Sequence, residues 1–164
     1  MPDRPNVVFI MTDQWRGDCL GCYGHPVVET PHLDQLALQG TRFTQAYTAT
    51  PSCIAARAGL FTGMCQRNHG RVGYRDGVPW NYEHTLAGEM AAGGYHTQAV
   101  GKMHVHPARN LMGFHNVVLH DGYLHFERKA HKNYDLVDDY MPWLRQKVGG
   151  DADMIQRRHQ AMSS

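Results

Sequence analysis

Pro51-Ser52-Cys53-Ile54-Ala55-Ala56-Arg57-Ala58-Gly59-Leu60-Phe61-Thr62-Gly63 is the stretch around which this chain is organised. Pro51 and Ser52 suit the turn before a helix. Ile54, Ala55, Ala56, Ala58, Leu60 and Phe61 are mostly helix-compatible, and Gly63 supplies the stop. Cys53 therefore falls at a helix N-terminus, where unpaired backbone N–H groups and the positive end of the dipole favour an anion. Arg57, one turn later, shares its face and adds a permanent positive charge. A polarised cysteine beside an anion site is a candidate catalytic centre. A small buried cysteine in a packed helix start is the competing reading, because cysteine is so often simply buried.

Upstream, Asn6-Val7-Val8-Phe9-Ile10-Met11 is a short apolar run rich in β-branched residues, which predicts a buried strand. It ends on Thr12-Asp13-Gln14, and the carboxyl ends of buried strands are where open α/β sheets place ligands. Asp13 can equally cap the next turn. Thr30 to Gly40 is a well-signalled helix, with Thr30 as N-cap, Pro31 in the first helical position and Leu33, Leu36 and Ala37 on one packing face. Thr41 to Thr48 alternates like a strand and delivers the chain to Cys53.

Downstream, Met64 to Tyr82 is rich in Gly, Arg, Asn and Pro and reads as a loop over the site, with Arg67, His69, Arg71 and Arg75 as anion-binding candidates. His84 to Gly93 reads as a helix, and Tyr95 to Gly101 as a strand. At that strand's end Gly101-Lys102-Met103-His104 offers a cation and a proton donor, with His106 on the same side if the strand continues. Gly113 to Leu119 suggests another strand. Tyr134 to Val148 carries Leu136, Val137, Tyr140 and Leu144 at helical spacing, with Pro142 arguing for a break or a late start. Strand–helix units of this kind predict an α/β fold, a mostly parallel sheet flanked by helices.

Composition narrows the function classes. With 164 residues, 42% hydrophobic and 19% charged, the chain can bury one core of ordinary domain size. A net charge of +1 argues for neither nucleic acid nor an anionic membrane as partner. No apolar run is long enough to span a bilayer, and no signal-peptide h-region is visible, so a cytoplasmic protein is expected. Cys19, Cys22, Cys53 and Cys65 make no disulfide framework at this length. Cys19-Leu20-Gly21-Cys22 is a bare CxxC with no second pair, a weak signal for redox or zinc chemistry.

Cys53-Ile54-Ala55-Ala56-Arg57 with Ala58-Gly59-Leu60-Phe61-Thr62-Gly63 resembles the sulfatase signature, with Ala55 where proline is commonest. Gly101-Lys102-Met103-His104 resembles the second signature of that family. Val7 to Gln14 resembles its opening, with Asp13-Gln14 where Asp-Asp is frequent, and Leu20 to Gly24 resembles a structural turn of the family. These motifs occur in family order over roughly residues 5 to 122.

The resemblance implies an alkaline-phosphatase-like α/β/α sandwich, present here only in its N-terminal part. Residues 1–164 would then be the start of a longer catalytic domain, inactive alone because further metal ligands come from later sequence. It also implies a sulfuric ester hydrolase in which Cys53 is converted to formylglycine by a maturation enzyme. A divalent cation, calcium before manganese or magnesium, would be held by Asp13, Gln14 and the modified residue 53. Arg57 would hold the reactive residue in place, Lys102 would bind a sulfate or leaving-group oxygen, and His104 would serve as acid or base. The substrate would be a small-molecule or saccharide sulfate ester. The alternatives are a phosphate or phosphonate ester hydrolase of the same superfamily, which Asp13-Gln14 also suits, and a truncated anion-binding relative without catalysis.

Overall fold

The structure, a computed structural model, describes residues 4–121 and 137–149. It divides into two compact units, Met1–Tyr47 and Thr48–Ser164.

In the first unit, α1 spans Pro31–Gln39, as the Thr30-Pro31 start and Gly40 stop predict. Thr30 does not cap the helix backbone with its side chain. Its hydroxyl donates to Asp34 Oδ1 at 2.8 Å and accepts from the Gly21 N–H at 2.8 Å. Asp34 Oδ1 also takes the Cys22 N–H at 2.7 Å, so the short 3-10 turn Gly21–Tyr23 is tied to the start of α1. A Cβ on Gly21 would collide with the Asp34 carboxylate, so a side chain there would have to displace the group that ties the turn to α1. The CxxC backbone thus builds a turn, and both of its thiols are unbridged.

Two predicted strands of this unit do not form. Asn6–Met11 enters no ladder among the described residues, and Val8 and Ile10 are 80% and 81% exposed. A buried parallel strand exists only between neighbouring strands, and the described residues of this unit supply none. Thr41–Thr48 is likewise irregular, with Phe43 and Tyr47 exposed. The Leu33–Leu36 face predicted to pack is also exposed.

The second unit holds α2 (Cys53–Thr62), α3 (Gln66–His69), α4 (Leu86–Ala92), β1 (Gln98–Gly101), β2 (Asn116–Leu119) and α5 (Tyr140–Val148). α2 begins at Cys53 after Ser52 in extended conformation and ends at Gly63, whose φ of 67° is the left-handed cap that glycine adopts freely. Ile54, Ala58 and Phe61 recur at helical spacing and pack with Trp80, Met103, Val105, Met112 and Leu119 into one core. Phe61 meets both Trp80 and Phe114 edge to face.

Thr85 caps α4 by accepting the Gly88 N–H. β1 and β2 pair in parallel, Gln98 opposite Asn116 and Gly101 opposite Leu119. α5 starts late, after Asp138 accepts the Met141 N–H at 2.9 Å, as Pro142 in its first turn requires. Leu136, expected in that helix's stripe, lies outside the described residues. Asp139 receives the Arg109 guanidinium on both carboxylate oxygens and also takes the Leu119 N–H, which ties α5 to the end of β2. Helices beside a small parallel sheet make this an α/β fold, as the strand–helix pattern of the sequence predicts. No helix among the described residues is long and apolar enough to cross a membrane.

Candidate functional site

The carboxyl ends of β1 and β2 carry the candidate chemistry. After β1 the chain turns sharply: Gly101 has φ 103° and His104 has φ 56°, a left-handed conformation uncommon for a residue with a side chain. Asp121, just beyond β2, holds this turn by accepting the Met103 and His104 N–H groups at 2.6 and 2.9 Å on one oxygen. The His120 N–H donates to Gly101 O at 3.0 Å and keeps the two strand ends together.

α2 meets this turn through Arg57. Its side chain is buried, and Nη1 donates to the main-chain carbonyl of Lys102 at 2.5 Å. The helix that starts at Cys53 is thereby joined to the Lys102-Met103-His104 turn. Cys53 is half-buried with a free thiol, at the first position of α2 where the unpaired amides lie. Lys102 is half-buried and His104 is buried.

His104 Nε2 lies 3.0 Å from Asp76 Oδ1, and the Tyr74 hydroxyl donates to the other Asp76 oxygen at 2.7 Å. The Tyr74 and His104 rings meet edge to face at 5.5 Å. Burial pushes His104 below the usual imidazole range. The Asp76 charge opposes this, Lys102 adds to it, and Asp121 opposes it. Tyr74 is pushed well above its usual range by burial first, then by Asp76 and by its interaction with Cys53.

The loop from Met64 to Tyr82 divides differently from expectation. Arg71 is not available to an anion: its guanidinium donates to Tyr82 Oη, Val78 O and Pro79 O and stacks on Trp80 at 4.3 Å. His69 is buried, and its Nδ1 accepts the Arg71 N–H. These two residues hold the loop together. Arg67 and Arg75 are exposed. His106 is half-buried, and its carbonyl takes the Trp80 N–H at 2.7 Å. Sequence reasoning missed Tyr74, Asp76 and Asp121. Asp121 had one local signal, an acidic residue at the carboxyl end of a strand; the other two had none.

Asp13 and Gln14 are exposed and belong to the first unit. Gln14 has φ 55°, again left-handed. Both present oxygen donors of the kind a hard divalent cation takes. Among the described residues, no three or more His, Cys, Asp or Glu side chains are grouped to hold a metal ion.

The chain matches the sulfatase family over residues 5–155. It is 58% identical over 156 residues to an arylsulfatase of Clostridium perfringens, covering 93% of this chain and 32% of that protein. It is 42% identical over 107 residues to human arylsulfatase A, covering 62% of this chain and 21% of that protein. The phosphonate monoester hydrolase structure of Agrobacterium radiobacter superposes with a TM-score of 0.66 at 30% identity, covering 91% of this chain and 30% of that one. The chain spans a third or less of the length of these relatives. With the family match extending over most of its residues, this chain belongs to the sulfatase family.

Proposed function

We propose that the whole protein is a sulfuric ester hydrolase that releases sulfate from an organic sulfate monoester, with residue 53 as its reactive centre. The observation that carries this reading is the Arg57–Lys102 hydrogen bond, which joins the Cys53 helix to the Lys102-Met103-His104 turn in a member of this family. Formylglycine at position 53 would supply a hydrated aldehyde as nucleophile, and a divalent cation held partly by Asp13 and Gln14 would neutralise charge on the sulfate.

The chain's own residues do the rest. The amides at the start of α2 favour a bound sulfate, and Arg57 adds fixed positive charge close behind them. Lys102 binds a sulfate oxygen or the leaving oxygen. His104 moves a proton to or from the reacting oxygen, and burial, by lowering its basicity, favours the neutral ring that can accept one. The partners follow: a sulfate ester, and a maturation enzyme acting on Cys53.

The deciding experiment is the mass of the peptide containing Cys53 from protein made in its native host. Loss of sulfur with gain of an aldehyde is expected, and Cys53→Ala is expected to abolish turnover of an aryl sulfate. An unmodified thiol in a protein that still turns over would overturn the reading. The likeness to a phosphonate monoester hydrolase, together with Asp13-Gln14, favours one second reading, hydrolysis of phosphonate or phosphate esters. Faster turnover of an aryl phosphonate than of the matching aryl sulfate would put it first.

A further inference from the structure

We propose that Asp76 is a positioning residue for His104: its carboxylate, gripped on the far oxygen by Tyr74, fixes the imidazole in the tautomer that carries its proton on Nε2. This rests on the reading of His104 as the proton-transfer group.

The geometry is unusually complete. The His104 backbone is set by Asp121, which takes two consecutive N–H groups, and by its left-handed φ. The ring is then held at Nε2 by a residue 28 positions away in sequence. Each oxygen of Asp76 has a donor, His104 on one and Tyr74 on the other. A carboxylate only accepts, so in the neutral ring Nε2 must carry the hydrogen and Nδ1 the lone pair. The Tyr74 ring meets the imidazole edge to face at 5.5 Å between centroids and adds a second contact beside the hydrogen bond. Asp76 is mostly buried, with 18% of its side chain exposed, and the imidazole with 2%, so the pair is weakly screened. Charged and titratable groups that face His104 among the described residues include Asp76, Lys102, Asp121 and Tyr74. Of these, Asp76 is the carboxylate bonded to the ring, and it stabilises the imidazolium that forms when the ring takes up a proton.

Asp76→Asn and Tyr74→Phe in the whole protein test this, with selectively ¹⁵N-labelled histidine. In the parent protein the His104 ring should show the Nε2–H form, and Asp76→Asn should lose that preference. In the same variant kcat for an aryl sulfate should fall about 10- to 100-fold with KM little changed. The limb of the pH profile governed by His104 should move to lower pH, because the lost negative charge had favoured the protonated ring. Tyr74→Phe removes a hydrogen bond but no charge, so a smaller loss with an unmoved limb is expected. Asp76→Glu keeps the carboxylate and should restore the limb; it carries the test if Asp76→Asn does not fold. An Nδ1–H ring in the parent, or a tautomer and pH limb indifferent to Asp76→Asn, overturns the proposal. A parent protein with the Nε2–H ring, sensitive to Asp76→Asn but inert toward sulfate esters, upholds the positioning while sinking the hydrolase reading.

Discussion

Arg57 and Lys102 are joined through a side chain on one and a main-chain carbonyl on the other, and this asymmetry separates their expected phenotypes. Arg57→Ala removes a buried charged donor and leaves the Lys102 carbonyl without it, so a loss of about 1.5–3 kcal/mol in unfolding free energy is expected, seen as a lower denaturant midpoint. Lys102→Ala keeps the carbonyl. Turnover should fall while the denaturant midpoint stays close to that of the parent. An equal loss of folding would mean that the lysine stem is packing rather than chemistry.

His69 and His104 have a common consequence for pH. Burial lowers both below the unfolded imidazole value. A depressed folded pKa favours the neutral ring in the native state. Its contribution to stability is therefore present above the unfolded value of about 6.5 and is lost as pH falls through the folded one. The exposed His84–Glu89 pair, whose imidazole is raised, works weakly in the other direction. Denaturant midpoints measured from neutral to mildly acidic pH should fall, and replacing His69 by Gln should flatten the fall.

Among the elements, α2 does two jobs with two faces. Ile54, Ala58 and Phe61 enter the core, while Arg57, one turn on from Cys53, meets the turn after β1. The start of α4 shows how closely elements approach here. Gly113, at φ 87°, sits so near the cap of α4 that an added Cβ would lie 2.4 Å from Gly88 N and 2.5 Å from Thr85 Oγ1. Neither neighbour can yield, since one is backbone and the other is the hydroxyl that caps the helix. Gly113→Ala is expected to lose at least about 1–3 kcal/mol through backbone strain, with the collision added. The unfolding midpoint checks this, and a near-neutral result would mean that the Gly113 loop is not seated on α4.

For the molecule as a whole, the first unit exposes Val7, Val8, Phe9 and Ile10 together with Leu36, Leu38, Phe43 and Tyr47. Exposed apolar surface of this extent marks an interaction surface or an aggregation liability. The 164 residues expressed alone are expected to bind a hydrophobic dye and to show no sulfatase activity. An active, dye-silent preparation of this length would show that nothing further is needed for either folding or catalysis.

The sequence by itself determined those features whose causes are local. α1 and α2 are announced by Thr30-Pro31 and Ser52 at their starts and by Gly40 and Gly63 at their ends, and α4 by Gly93 at its end, while its Thr85 cap came from the structure. Spacing of one helical turn put Cys53 and Arg57 on one face, and a strand signal ahead of Gly101 put Lys102 and His104 at a sheet end. Tertiary structure alone decided which partners those residues receive. Asp76 reaches His104 from 28 residues away, Asp121 from 17 and Arg57 reaches Lys102 from 45, and pairings at that range leave no periodicity or turn signal in the chain. It also decided that Arg71 and His69 brace a loop instead of facing solvent. It left Val7–Met11 outside any ladder among the described residues as well. A strand, unlike a helix, takes its hydrogen bonds from another segment, so its own apolar residues state a preference that only a neighbour can fulfil.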